Sequence, residues 1–265
     1  MLPLIVEPAD LKPLLDDPNL LIVDLCREEN YLHAHLPGAL HVSPAEIISG
    51  KTPAVGKLPD RARLNALFSR LGYTPDRPVV AYDDEGGGWA GRFIWTLDVI
   101  GHRQSSYLNG GLVNWLAQDG PVTAEPGQAK PTRVSVTTDP ALIASMQDVL
   151  DSINSPDTVI WDARSAEEYA GTRVVAQRGG HVPGAINLDW LLVMDHNDHL
   201  RIRSDAREML AAKGITGDRS VITHCQTHHR SGLTYLVGKS LGFNIKAYDG
   251  SWSEWGNDPN VPVES

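Results

Sequence analysis

The stretches LIVD at residues 21–24 and HLPGA at residues 35–39 decide how this chain is organised, because both recur later in the sequence. The second copies are VIWD at residues 159–162 and HVPGA at residues 181–185, with about eight additional residues between them. Similar stretches that recur in the same order are the signature of a duplicated module. We therefore predict two domains of the same fold within one chain.

Further matches extend the repeat over both halves. The run VVAY at residues 79–82 and the run SVIT at residues 220–223 are each followed by two glycines at identical spacings. Between the copies the sequence is rich in Pro, Gly, Ala and Thr and poor in large apolar residues, which is typical of a linker. We predict a first domain over residues 1–122, a linker over residues 123–138 and a second domain over residues 139–265.

Short runs of β-branched and aliphatic residues, each ending in a polar residue, predict buried parallel strands. These runs lie at residues 20–24, 79–82, 159–162 and 220–224. They alternate with stretches of helical periodicity, such as residues 64–71. The alternation predicts an α/β fold in which each domain is a mainly parallel sheet flanked by helices, with ligands beyond the carboxyl ends of the strands.

Composition limits the classes of function. Of the 265 residues, 42% are hydrophobic and 21% are charged, as in ordinary globular proteins and unlike disordered or fibrous ones. A formal net charge of −10 disfavours a surface that follows the phosphates of a nucleic acid. The N-terminus has no basic region of the kind that begins a secretion signal, and no apolar stretch approaches the ~20 residues of a membrane span. Two cysteines, Cys26 and Cys225, cannot form a disulfide framework, so we expect a reducing cytoplasm.

The two copies differ at positions where one of them has a reactive or charged side chain. Cys225 in the second copy is matched by Asp84 in the first, and Arg230 is matched by Trp89. The second-copy loop, CQTHHRSG at residues 225–232, contains no carboxylate, whereas the first-copy loop, DDEGGG at residues 83–88, contains three. An anion would be repelled by the first loop, so the sequence predicts an anion site in the second domain only.

The second-copy loop favours a reactive thiolate at Cys225. Backbone N–H groups of a tight loop ahead of a helix point into a common hollow, and the helix N-terminus adds about half a positive charge. Together with Arg230 and a protonated His228 or His229, these groups should lower the pKa of the Cys225 thiol. Cys26 has no such surroundings and is interpreted as a buried, inert residue.

The chain resembles the tandem-domain rhodaneses over essentially its whole length. The resemblance rests on the order strand, Cys-x-x-x-x-Arg loop, helix in the second of two repeats that each contain an Asp…His-x-Pro-Gly-Ala element. The loop CQTHHR at residues 225–230 is most similar to that of the Azotobacter-type bacterial rhodanese. Members of the family commonly have an aspartate in place of the first-domain cysteine, as Asp84 is here.

The resemblance implies a sulfurtransferase, and we expect no cofactor. A sulfane sulfur would move from thiosulfate to Cys225 as a persulfide, and then to cyanide or another thiophilic acceptor. The loop departs from the CRKGVT of eukaryotic thiosulfate users and from the CG(S/A)GVT of mercaptopyruvate users. The alternatives are therefore a 3-mercaptopyruvate sulfurtransferase and a persulfide carrier that delivers sulfur to protein acceptors.

The resemblance also implies a substrate-binding role for Arg164, which follows a strand end on the same side of the sheet as Cys225. Its guanidinium could hold a dianionic donor with two parallel hydrogen bonds, in which case its loss would raise the donor KM. The alternative is an arginine that pairs with Asp162, Glu167 or Glu168.

The remaining candidate substrate-binding residues are Arg230, Gln226, Thr227, His228, His229 and Trp190. Arg230 closes the loop on the donor, or else holds a buried acid or loop carbonyls. A metal site is disfavoured, because amides that point inward would turn the side chains of the loop outward and scatter the potential ligands. A phosphatase of related fold is disfavoured as well, because its loop has five residues between Cys and Arg and this loop has four.

Residues that recur in both copies, only one of which has the nucleophile, are interpreted as scaffold. They are Asp24, Asp162, His35 and His181. The chain already contains two modules, so we expect a monomer.

Overall fold

The computed structural model describes residues 2–265 and divides them into two compact units. The first unit contains the chain up to Ile47, Pro59–Asp139 and Asp195–Ile202, and the second contains Ile48–Leu58, Pro140–Met194 and Arg203–Ser265. The structure thus differs from the predicted sequential division in two short segments, residues 48–58 and 195–202, each of which folds with the other half of the chain.

The first unit is a five-stranded parallel sheet in the order β1-β5-β4-β2-β3. Its strands are β1 Ile5–Val6, β2 Leu21–Asp24, β3 Leu40–His41, β4 Val79–Tyr82 and β5 Ser105–Leu108. Its helices are α1 Pro8–Leu11, α2 Glu28–His33, α3 Arg61–Arg70, α4 Gly88–Val99 and α5 Gly111–Ala117.

The second unit has a four-stranded parallel sheet in the order β11-β10-β6-β7. Its strands are β6 Thr158–Asp162, β7 Ile186–Asn187, β10 Ser220–His224 and β11 Ile245–Ala247. Its helices are α6 Met146–Ser152, α7 Ala166–Tyr169, α8 Ala206–Ala212, α9 Arg230–Ser240 and α10 Ser251–Trp255. Two further strands, β8 Met194–Asp195 and β9 Arg201–Ile202, pair with each other.

The predicted fold class is confirmed, and the reason is the burial of the central strands. Every residue of β2 and β4 is buried, as are four of the five residues of β6 and of β10. Strands covered on both faces need aliphatic side chains on both faces, which is why their sequences are continuous apolar runs. Each unit has its own apolar core, one around Trp115 and the other around Trp252 and Trp255.

The recurring aspartates have the same structural task in both units. The Asp24 carboxylate accepts the N–H of Cys26 at 2.7 Å, and the Asp162 carboxylate accepts the N–H of Arg164 at 3.0 Å. A carboxylate that binds the amide two residues ahead closes a local turn. Each aspartate therefore fixes the path of the chain where its strand ends, in agreement with the scaffold interpretation.

The recurring histidines, His35 and His181, make the same contacts in the two units. His35 donates from Nδ1 to the Tyr31 carbonyl at 2.5 Å, and His181 donates from Nδ1 to the Tyr169 carbonyl at 2.9 Å. Each imidazole also stacks on the ring of the same tyrosine. Both side chains serve packing and the turn before Pro-Gly-Ala.

Residues 48–58 lie against the carboxyl edge of the second sheet. The N–H of Leu58 donates to the Asp249 carboxylate at 2.8 Å, and Lys57 pairs with Glu254 of α10. Gly56 approaches Thr227 so closely that a Cβ atom there would lie 2.0 Å from the Thr227 carbonyl oxygen. This segment supports the loop that follows β10.

In the part of the chain described here, residues 2–265, no helix combines the length and the apolar character needed to cross a bilayer.

We predict that Gly56→Ala displaces the loop that contains Thr227, because the clash is with backbone and not with a flexible side chain. Hydrogen exchange of the amides of residues 225–231 should be at least about tenfold faster than in the unchanged protein, and overpacking should lower the free energy of unfolding by about 1–3 kcal/mol. Lys51→Ala, an exposed position in the same segment, is the control. Unchanged exchange in Gly56→Ala would show that the contact does not support the loop.

Candidate active site

Cys225 lies directly beyond the carboxyl end of β10, an inner strand of the second sheet. The chain then makes a short loop and begins α9 at Arg230. The side chain is buried, with 1% of its surface exposed. The parallel sheet thus places the thiol where α/β proteins hold their ligands, with a helix N-terminus next to it.

The loop is held by its own carbonyl groups. The N–H of Trp252 donates to the Cys225 carbonyl at 3.0 Å, and the N–H of Ser253 donates to the Gln226 carbonyl at 2.9 Å. These bonds join the start of the loop to α10. The Cys225 N–H donates to the Ser251 hydroxyl at 3.4 Å. The backbone N–H of Ser231, further along the chain, donates to the Cys225 sulfur.

His228 departs from the expectation that the side chains of the loop point outward. Its backbone has φ +55°, in the left-handed region that few residues other than glycine adopt, and this turn buries its ring completely. Nδ1 lies 2.7 Å from the Ser231 hydroxyl oxygen. A ring that donates from Nδ1 leaves the hydroxyl hydrogen of Ser231 for the Cys225 sulfur. The geometry therefore gives His228 a part in shaping the loop, and its direct contact with a donor stays a prediction.

The surroundings of Cys225 favour its thiolate. Burial opposes ionisation most strongly, but Arg230, hydrogen bonds from the side chain and backbone of Ser231, and His229 outweigh it. The net effect is a pKa of the Cys225 thiol below its ordinary value, as the sequence predicted. Ser231, which hydrogen-bonds to Cys225, was not singled out by the sequence analysis, although it lies in the quoted loop.

The positive charge of Arg230 favours the thiolate of Cys225, and its guanidinium is bound by Glu168. Nη1 lies 2.5 Å from one carboxylate oxygen of Glu168, and Nη2 lies 2.9 Å from the other. Although burial opposes it, this pairing raises the pKa of Arg230, and the neighbouring Cys225 contributes. Arg230 therefore pairs with the buried carboxylate of Glu168 and also interacts electrostatically with Cys225. Glu168 was considered only as a partner for Arg164, and the repeat did not mark it, because it matches Asn30 in the first copy.

Arg164 pairs with Asp162, which is the alternative that the sequence analysis gave to substrate binding. Its guanidinium donates two hydrogen bonds from Nε and one of 2.6 Å from Nη2 to the Asp162 carboxylate, and a further one of 2.8 Å to the Gly180 carbonyl. It also lies over the Trp252 ring, 4.2 Å from the ring centroid. The side chain is fully buried, so the geometry favours a structural role, and substrate binding by Arg164 stays a prediction.

Three other predicted residues lie in the loop or next to it. Gln226 donates from its side-chain amide to the Val175 carbonyl at 3.2 Å, and Thr227 lies against Gly56. The Trp190 ring lies 5.5 Å from the His229 ring, centroid to centroid. The structure thus brings these residues to the loop, and their contact with a donor stays a prediction.

The family is decided by comparison with known proteins. The sequence profile of the rhodanese-like domain matches residues 7–118 and again residues 145–258. The chain belongs to the rhodanese family. The resemblance identified from the sequence is therefore confirmed over both repeats.

Several relatives match this rhodanese chain over nearly its full length. The thiosulfate sulfurtransferase of Azotobacter vinelandii is 51% identical over 99% of this chain and 97% of its own, and that of Pseudomonas aeruginosa is 52% identical over the same shares. A sulfur carrier protein of Thermus thermophilus is 30% identical over 94% of this chain and 92% of its own. The structure of an anaerobic ergothioneine biosynthesis enzyme from Chlorobium limicola shows the same fold, with a TM-score of 0.88 at 20% identity, over 99% of this chain and 70% of that one.

The corresponding loop of the first rhodanese domain is filled by its own carboxylate. Asp83 Oδ1 accepts the N–H groups of Glu85 at 3.2 Å and of Gly87 at 2.8 Å, and Oδ2 accepts the N–H of Ala90 at 2.9 Å. In the repeat, Ala90 matches Ser231. The amide that supports the sulfur in the second domain therefore supports an internal carboxylate in the first.

The two cysteines differ as the sequence predicted. Burial, followed by the charge of Asp24, raises the pKa of Cys26 far above its ordinary value. Burial and the charge of Glu85 also raise the pKa of Asp83, to about 7.

Within residues 2–265, no group of three or more His, Cys, Asp and Glu side chains has the geometry of a metal site.

We predict that Arg230→Gln raises the pKa of Cys225 by about one unit or more, because it removes the cation that most favours the thiolate. The pH dependence of alkylation of Cys225 by iodoacetamide, followed by peptide mass spectrometry, measures this shift. Arg207→Gln, which changes a guanidinium bound to the Leu241 carbonyl, is the matched control. A midpoint that is the same in both variants would contradict the assigned role of Arg230.

We expect Arg164→Ala to lower the free energy of unfolding by about 3–5 kcal/mol, because it leaves the buried carboxylate of Asp162 without its cation. Denaturant unfolding measures the loss, and donor KM is determined on the fraction that remains folded. A stable variant with a raised KM would instead support the substrate-binding role.

Proposed function

We propose that the chain is a thiosulfate sulfurtransferase in which Cys225 receives the transferred sulfur. The observation that supports this best is the buried thiol of Cys225 at the start of α9, with a lowered pKa and hydrogen bonds from Ser231. Relatives named as thiosulfate sulfurtransferases, at 51% and 52% identity over nearly the whole chain, support the donor.

The first step is attack by the Cys225 thiolate on the outer sulfur of thiosulfate. A bond forms between Sγ and this sulfur, the sulfur–sulfur bond of thiosulfate breaks, and its electron pair leaves with sulfite. In the second step an acceptor such as cyanide attacks the outer sulfur of the persulfide. Thiocyanate leaves, the electron pair of the broken bond returns to Sγ, and the thiolate is restored without any net proton transfer.

Cys225 carries a negatively charged sulfur in both forms of the enzyme, the thiolate and the persulfide, and the same groups stabilise both. Ser231 donates to the sulfur, the N-terminus of α9 lies beside it, and Arg230 supplies a fixed cation. Donors that are oriented before the reaction need no rearrangement as charge moves from sulfur to sulfur. In this proposal Arg230 is held ready by Glu168 and does not travel to the donor.

Thiosulfate suits this loop better than 3-mercaptopyruvate. The dianion has both charges close to the transferred sulfur, where Arg230 and His229 lie beside the thiol. Mercaptopyruvate is larger, and its carboxylate and carbonyl need room and separate donors. Gln226, Thr227 and two histidines occupy the positions at which a glycine-containing loop would leave that room.

A second candidate function is the delivery of sulfur to a protein thiol. Apolar side chains are exposed beside Gln226 of the loop and beside Trp190, whose ring lies near His229. Val174 and Val175 are 54% and 40% exposed beside the Gln226 amide, and Leu191 and Leu192 are 42% and 52% exposed beside Trp190. Exposed apolar clusters of this kind favour contact with another protein.

We further propose that the chain works as a monomer in a reducing cytoplasm. Both cysteines are free, and the two domains are already joined in one chain. The partners we propose are a small anionic sulfur donor and a thiophilic acceptor.

Steady-state kinetics with thiosulfate and 3-mercaptopyruvate side by side test the proposed function. We expect a higher kcat/KM for thiosulfate, no transfer in Cys225→Ser, and nearly unchanged transfer in Cys26→Ser. A higher value for mercaptopyruvate would overturn the donor assignment. Equal losses in the two cysteine variants would overturn the assignment of the nucleophile.

A further inference from the structure

The first domain has a cavity at the edge of its sheet where the second domain has Cys225. It lies beyond the carboxyl ends of β2, β4 and β5, and its volume is about 460 Å³. Sites for small organic ligands commonly have this size and this place in an α/β sheet. Nothing in the proposed sulfur transfer uses this cavity.

Two opposite charges line the cavity without pairing with each other. Asp84 Oδ2 accepts the backbone N–H of Arg27 at 3.4 Å and the side-chain amide of Asn30, while Oδ1 has no hydrogen-bond partner within residues 2–265. The exposed guanidinium of Arg27 likewise forms no hydrogen bond or ion pair with any residue of that range. One anionic oxygen and one cationic fork are therefore both available to a ligand.

The opposite wall of the cavity is apolar. Leu112, Val113 and Leu116 of α5 contribute it, and Leu112 belongs to the core around Trp115. Leu116 is half exposed. A ligand with an aliphatic part would cover this wall.

We propose that the cavity binds a small aliphatic α-amino acid. The ammonium group pairs with Asp84, the carboxylate pairs with Arg27, and the side chain packs on Leu112, Val113 and Leu116. A simple anion would face the negative charge of Asp84, and a simple cation would face Arg27. A ligand with both charges satisfies both residues.

The site differs in chemistry from the one around Cys225. In the first domain the amides of the loop are already occupied by the internal carboxylate of Asp83, so a sulfur anion has no donors there. Asp84 is turned away from those amides toward Asn30. Where the second domain has Cys225, the first domain thus has a cavity with a carboxylate at its edge.

Titration of the full-length protein with L-norleucine, followed by amide chemical shifts in NMR spectra, tests the proposal. We expect saturable shifts at tens of millimolar or below, confined to residues 27–34, 84 and 112–116. n-Pentylamine lacks the carboxylate and hexanoate lacks the ammonium group, and each should bind at least about tenfold more weakly, since each loses one charged hydrogen bond.

Asp84→Asn and Arg27→Gln each remove one charge from the lining of the cavity, and each should weaken norleucine binding at least about tenfold. Asp10→Asn, an exposed position on α1 away from the cavity, is the matched control and should bind as the unchanged protein does. Thermal melting confirms that each variant is folded, and sulfur transfer from thiosulfate should be the same in all of them.

The proposal is overturned if norleucine gives no saturable shifts, if either singly charged analogue binds as tightly, or if Asp84→Asn binds norleucine as the control does. Because the readout is binding in the first domain, these results are independent of whether Cys225 transfers sulfur.

Discussion

The hydrogen bonds from the hydroxyl and N–H of Ser231 to the Cys225 sulfur are the interactions on which the site depends. Burial disfavours a thiolate, and in the same chain burial together with the charge of Asp24 raises the pKa of Cys26. Ser231 can donate because α9 starts one residue earlier and because His228, turned inward, orients its hydroxyl. The charge of Arg230, fixed by Glu168, adds to these donors, so a buried sulfur can hold a negative charge.

The first domain shows what happens to the same loop geometry when the anion is built into the chain. The amide of Ala90 matches that of Ser231, but it binds the carboxylate of Asp83. An internal anion satisfies the amides and removes the reason for an external one to bind. At the same edge of the first sheet, the structure has a cavity beside Asp84.

The sequence predicted the fold and singled out the loop of Cys225, because both depend on local patterns. Continuous apolar runs with polar ends marked β4 and β10 within a residue, and the spacing from Cys225 to Arg230 marked the loop. The sequence could not show that Arg164 is buried on Asp162 or that Glu168 holds Arg230, because either carboxylate was near enough along the chain to pair with either arginine. It also missed residues 48–58, whose contacts with Asp249 and Glu254 join positions about 190 residues apart.

The measurement that tests the account most directly is the location of the sulfur after a single exposure to thiosulfate. Intact-protein and peptide mass spectrometry should find one extra sulfur per chain, on the peptide that contains Cys225, and cyanide should remove it. The peptide that contains Cys26 should be unchanged, since its thiol lacks the donors that Ser231 provides. Sulfur on both cysteines, or no cyanide-removable sulfur on Cys225, would contradict the claim that one oriented set of donors distinguishes the two domains.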